Sequence, residues 1–154
     1  MRTEQEILEI YTDGASRGNP GDAAWAYIFC RDGKIVGSDG GFLGRTTNNQ
    51  AEYHAVIHAL AAAHKAGCSS FTLYSDSELV IRQIRGEYAV RSPALAPLMA
   101  RVRELQQRFH AGRFTAVPRT HPLIAAADRL CNEILDAHAR SEREDRIPPS
   151  RQKE

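Results

Sequence analysis

The sequence predicts an α/β domain: a mixed sheet flanked by helices, with elements in the order βββαβααβα. Three observations carry this expectation. Residues 7–12, 23–30 and 34–43 are β-rich runs, and the last two are joined by Arg31-Asp32-Gly33, a connection that favours an antiparallel hairpin. From Asn48 onward the apolar spacing changes to the three- and four-residue steps of helices. Two further short apolar runs, 71–75 and 114–117, are separated by helical stretches, as crossover connections require.

Each element has its own local signal. Residues 7–12 end at Asp13-Gly14, with Gly18-Asn19-Pro20-Gly21 following, and read as a strand running into a turn-rich loop. The first long helix is capped by Asn48 or Asn49 and stopped by Gly67. On it Glu52, Val56, Leu60 and Ala63 share one face. Residues 71–75 form a strand that closes at Asp76, and 77–84 a brief helix ending near Gly86. A helix over 93–109 carries the stripe Leu95, Leu98, Val102 and Leu105. After the strand 114–117, a last helix over 123–139 has Leu130, Ile134 and Leu135 on its apolar positions. Residues 140–154 are nearly all charged, polar or proline, and are expected to form a flexible, solvated tail behind a single domain at 1–139.

Composition narrows the function classes. The 154 residues suffice for one domain with a real core. Lys and Arg number 20 against 19 Asp and Glu, so any basic surface must be local and offset elsewhere. Cys30, Cys68 and Cys131 are odd in number and widely spaced, which suits buried free thiols better than disulfides or a zinc site. An acidic N-terminus and the absence of an apolar run near ~20 residues give an expected cytoplasmic protein with no membrane role.

Chemistry enters with the carboxylates. Asp13 and Asp76 each follow an apolar strand, and if those strands are neighbours the two acids emerge side by side. Glu52 points toward the sheet, where a carboxylate is costly unless paired or bound to a cation. No run of Lys or Arg lies beside these acids, so a divalent metal is the nearest partner. Taken singly, an Asp after a strand is an ordinary turn former and a Glu near a helix start an ordinary dipole partner. Spacing alone therefore gives an acidic cluster without a direction.

Three segments supply the direction. Residues 11–21 (Tyr-Thr-Asp-Gly-Ala-Ser-Arg-Gly-Asn-Pro-Gly), 46–52 (Thr-Thr-Asn-Asn-Gln-Ala-Glu) and 74–81 (Tyr-Ser-Asp-Ser-Glu-Leu-Val-Ile) resemble, in order, the acidic motifs of the type 1 ribonuclease H family. The resemblance runs over roughly residues 7–138 and includes residues 86–90, Gly-Glu-Tyr-Ala-Val. It implies the ribonuclease H fold with a five-stranded mixed sheet, and hydrolysis of the RNA strand of RNA–DNA hybrids without regard to sequence. By the same match Asp13, Glu52, Asp76 and Asp128 are the catalytic residues and ligands of two Mg²⁺ or Mn²⁺ ions. Asn19, Asn48 and Gln50 are matched to hybrid contacts near the minor groove, and Thr47 with Arg45 to a phosphate pocket for the DNA strand. His121 is matched to a loop histidine that serves proton transfer or product release. The only partner implied is the hybrid duplex, with the protein acting as a monomer.

Two departures from the family pattern stand out. Seven residues, 120–126, separate Val117-Pro118-Arg119 from Ala127-Asp128, which reads as a lengthened loop lacking the family's Asn. Residues 84–92 are too few for a basic protrusion, which predicts weak, salt-sensitive binding. Two rivals follow: a hybrid-binding module with weak or lost nuclease activity, and another nuclease, integrase or transposase on the same fold. His54 and His58, although i, i+4, read as exposed helix residues, Trp25 as a core or sheet-face residue, and Arg101, Arg103 and Arg108 as a solvated helix face.

Overall fold

A computed structural model describes residues 7–145. Among them lie strands β1 (Leu8–Gly18), β2 (Gly21–Arg31), β3 (Lys34–Thr46), β4 (Ser70–Ser75) and β5 (Ala111–Ala116). The helices are α1 (Asn48–Lys65), α2 (Glu78–Ile84), α3 (Ala96–Gln106) and α4 (Pro122–Asp145). The order of elements is the expected one, and the strands form a single mixed sheet in the order β3-β2-β1-β4-β5.

The meander β1-β2-β3 is antiparallel, and Asp32 (φ 50°) and Gly33 (φ 74°) turn its second hairpin in the left-handed region. β4 then returns parallel to β1, and β5 parallel to β4. Alternation along the strands divides the core in two. Leu8, Ile10, Trp25, Tyr27, Phe71 and Leu73 face α1, α2 and α3, whereas Tyr11, Ala24, Ala26 and Ile28 face α4. Burying such side chains stabilises the fold by about 1.5–3 kcal/mol each. Cys30, Cys68 and Cys131 are free and buried, as expected.

Several boundaries differ from expectation, each for a local reason. β1 does not stop at Thr12: it keeps pairing with β2 to Gly18↔Gly21, and the residues 18–21 form the hairpin turn. Thr47, rather than Asn48 or Asn49, caps α1 by accepting from the Gln50 N–H at 3.2 Å. α3 is shorter than 93–109, because Ser92 to Leu95 form a preceding turn. The segment before Asp128 is loop only at Thr120 and His121, and residues 122–126 are helical. His121 Nδ1 accepts from the Leu123 N–H at 3.1 Å, and Pro122 opens α4, whose first turns absorb the extra residues. α4 also runs past 139 to Asp145, carried by a His138–Glu142 pair one turn apart, and the rest of the expected tail lies outside the described residues. No helix among the described residues is long and apolar enough to cross a membrane.

Candidate active site

The site forms where the sheet parts. β1 and β4 pair in parallel only as far as Tyr11↔Tyr74, and the Thr12 hydroxyl closes the seam by donating to the Tyr74 carbonyl at 3.2 Å. Beyond that point β1 runs on to Gly18 while β4 ends one residue later at Ser75, which leaves an opening between the two strands. Asp13 stands on β1 at its edge, and Asp76 follows the last residue of β4. The neighbouring-strand expectation therefore holds, although Asp13 is inside a strand rather than at its end.

Glu52 reaches the opening from α1. The close approach depends on Gly14: a Cβ there would stand 2.2 Å from the Ala51 backbone carbon, so only hydrogen permits the helix to lie this near β1. Across the contact the Gly14 N–H donates to Glu52 Oε1, and the Ser75 hydroxyl lies 3.5 Å from Oε2. Asp128 comes from the other face on α4, where Asn132 Nδ2 donates to its carbonyl at 3.1 Å and to Oδ2 at 3.3 Å. Asp13, Glu52, Asp76 and Asp128 line one cleft, with Asn48 and Arg119 beside them.

Crowded carboxylates in a poorly solvated place hold their protons. Burial first, then the charges of Asp76 and Asp128, push Asp13 from its ordinary 3.8 up to about 8. Burial, then Asp13 and Asp76, raise Glu52 well above the ordinary range against the opposing pull of Gly14 and Ser75. Burial raises Asp76 as well, and Arg119 works against it. Asp13, Glu52 and Asp76 each offer an oxygen, and these lie within 4.8 Å of one another. Asp13 Oδ2 is buried without a hydrogen-bond partner. An all-oxygen donor set with an orphaned carboxylate oxygen fits a hard divalent cation.

The substrate residues expected from the sequence gather next to this cleft. Asn19, Thr47, Asn48 and Gln50 line one depression on the same side of the molecule. Asn19 Oδ1 accepts from the Asn48 N–H at 3.0 Å, and Asn48 Oδ1 from the Ser16 N–H at 3.3 Å, so hairpin and helix start are held together. The Thr46 hydroxyl donates to Gln50 Oε1. Arg45 is exposed on β3 and does not line that depression. His121 lies outside the cleft lining: its ring stacks on Tyr11 at 4.9 Å, and Nδ1 serves the helix cap.

Some residues were not foreseen. Arg119 lines both the acidic cleft and the groove beside it; its signal in the sequence is the Val117-Pro118-Arg119 segment. Asn132 and Cys131 support the site from α4, the thiol lying 3.5 Å from the Asp13 carbonyl. Trp25 is a core residue as expected; His58 is exposed, also as expected, with its ring stacked on Trp25 at 3.9 Å, whereas His54 is half-buried. Arg101 and Arg108 pair with Glu104 on the solvated face, whereas Arg103 donates to the Ile84 carbonyl at the end of α2.

Sheet topology and a carboxylate cluster at the parting of β1 and β4 define an α/β domain of the ribonuclease H-like fold. The chain belongs to the RNase H family, whose model matches residues 5–110. It is 46% identical to the Ribonuclease HI of Halobacterium salinarum over 130 residues, 84% of this chain and 64% of that protein. It is 36% identical to Bifunctional protein Rv2228c of Mycobacterium tuberculosis over 141 residues, 90% of this chain and 38% of that protein. The chain thus spans under two thirds of the length of these curated relatives. The crystal structure of the Halobacterium salinarum RNase H1 is similar with a TM-score of 0.82 and 44% identity, covering 85% of this chain and 98% of that one. LC11-RNase H1 in complex with RNA/DNA hybrid is similar with a TM-score of 0.81 and 34% identity, covering 86% and 99%.

Proposed function

We propose that this chain is an endoribonuclease that hydrolyses the RNA strand of RNA–DNA hybrids, independently of sequence and as a monomer. The observation that carries the reading is the convergence of Asp13, Glu52 and Asp76, with Asp13 Oδ2 buried and unpartnered, beside a depression lined by amide and hydroxyl side chains. The relative solved with RNA/DNA hybrid supports the substrate class.

Asp13, Glu52, Asp76 and Asp128 would hold two Mg²⁺ or Mn²⁺ ions. When bound, such ions activate a water and neutralise the leaving oxygen of an in-line displacement, here giving a 3′-hydroxyl and a 5′-phosphate. The chain's own groups do the rest. Gly14 and Ser75 orient Glu52, and Asn132 orients Asp128. Asn19, Asn48 and Gln50 read the hybrid by its groove and 2′-hydroxyls, and Thr47 with Arg45 steadies a phosphate of the DNA strand. His121, at the start of α4, serves proton transfer or product release. Buried free thiols support the reducing, cytoplasmic setting.

The test is cleavage of end-labelled hybrid beside single-stranded RNA, duplex RNA and duplex DNA, with Mg²⁺, Mn²⁺ or chelator. Hybrid-only cutting of the RNA strand, abolished by chelator, is expected. Tight hybrid binding without turnover under either metal would select the binding-module reading, and cutting of duplex DNA another nuclease.

A further inference from the structure

The structure holds a second convergence of metal-ligating side chains, remote from the acidic cleft. Asp22 at the start of β2, and His138 and Glu142 on the last turns of α4, each offer a donor atom, and these lie within 4.8 Å of one another. His138 and Glu142 are i, i+4 and so share the helix face turned to the sheet, with His138 Nε2 3.2 Å from Glu142 Oε1. Asp22 alternates with Ala24 and Ala26 and therefore faces the same helix.

We propose that Asp22, His138 and Glu142 form a binding site for a first-row transition dication of the Zn²⁺ class, which clamps the C-terminal half of α4 to the sheet. Donor chemistry separates this site from the catalytic one. One imidazole and two carboxylates suit Zn²⁺, which takes nitrogen and oxygen ligands and can keep water in its fourth position. Mg²⁺ favours the all-oxygen cluster at Asp13 instead.

The site is partly built in advance. The His138 ring is stacked on Phe42 of β3 at 3.8 Å and 19°, so its position is held before any ion arrives, and an apolar ring flanks it on one side. One cation beside Asp22 in the sheet is engaged elsewhere: Arg17, its cross-strand neighbour on β1, binds Asp136 at 2.7 Å and Asn132 at 3.2 Å. Arg45 lies opposite Asp22 on β3, and no ion pair joins the two among the described residues. Ligands from a strand and from a helix give the ion a tertiary role, since its binding favours the docked helix over the undocked one. His138 lies about 15 Å along α4 from Asp128, so the clamp acts on the helix and not on the reacting phosphate.

The experiment titrates Zn²⁺ by calorimetry, with a competing fluorescent chelator, into protein carrying Asp13→Asn and Asp76→Asn, which removes two of the four catalytic carboxylates and so breaks up the rival ligand cluster. One bound equivalent is expected. Adding His138→Gln, or separately Asp22→Asn, should weaken it by at least roughly tenfold, and Mg²⁺ in large excess should not displace it. Zn²⁺ should raise the melting temperature of the parent and not of the His138→Gln protein. In the otherwise unaltered chain, His138→Gln should leave Mg²⁺-supported hybrid cleavage unchanged. No Zn²⁺ bound, Zn²⁺ affinity equal in parent and both variants, or displacement by Mg²⁺ would each overturn the proposal and leave His138–Glu142 a surface helix pair.

Discussion

Glu52 is fixed to the backbone of the residue that follows Asp13: its Oε1 accepts from the Gly14 N–H, across 38 residues of sequence. The contact places the helix-borne carboxylate beside the strand-borne one and sets the first distance of the acidic cluster. It also makes the site depend on a hydrogen atom at position 14.

Gly14→Ala is therefore expected to damage both stability and activity. The added Cβ would meet the α1 backbone at 2.2 Å, and backbone cannot rotate away. A loss of about 2–3 kcal/mol in urea unfolding is expected, with cleavage falling further than the folded fraction does. Unaltered stability would mean that α1 shifts freely against β1.

Asp13→Asn removes the shared ligand of the cluster. Hybrid cleavage should drop by on the order of a thousandfold or more, the equivalent of several kcal/mol of transition-state stabilisation. Hybrid binding measured by anisotropy should stay within a few-fold of the parent, because the groove residues are untouched. Retained turnover would remove Asp13 from the proposed site.

The same carboxylate sets a pH dependence of the metal-free protein. Asp13 is raised from 3.8 to about 8, so between those values the native state keeps a proton that the unfolded chain has lost. Stability in chelator therefore falls as pH rises across that window. Glu52 and Asp76, also raised, act in the same direction, while His54 and His58, lowered by burial, oppose it below their ordinary 6.5. The melting temperature in chelator should decline from about pH 4 to about pH 8 less steeply in Asp13→Asn than in the parent. Mn²⁺ should stabilise the parent most at the alkaline end, where the carboxylates are free to bind it. Identical pH curves for parent and variant would contradict the raised Asp13.

Arg119 is the basic residue that lines both the cleft and the groove beside it. Arg119→Ala should weaken hybrid binding uniformly across sequences and lower the slope of log K against log salt by about one, as loss of one phosphate contact requires. An unchanged slope would confine Arg119 to tempering Asp76.

Much of this was legible in the sequence, for reasons that are local. Strand and helix identities follow from apolar spacing, and the Asp32-Gly33 hairpin and the Gly67 stop from turn chemistry, each set within a few residues. Glu52 could be turned toward the sheet because Val56 and Leu60 share its face, and both are buried. The end of β1 was misread because Asp-Gly-Ala-Ser-Arg is polar, although β2 pairs with it to Gly18. The start of α4 fell one residue earlier than the apolar spacing suggests, because Pro122 suits the first turn of a helix and the His121 imidazole accepts from the Leu123 N–H just inside it.

By itself, then, the sequence determined the element order, the buried thiols and the family motifs, all of which rest on neighbours in the chain. Only the tertiary structure decided that β4 ends where β1 continues, that Asp128 reaches the cleft from a helix turn held by Asn132, and that Asp22 meets His138 and Glu142. These are meetings of residues far apart in sequence, and they exist because sheet order and register choose which strand ends and which helix faces are neighbours.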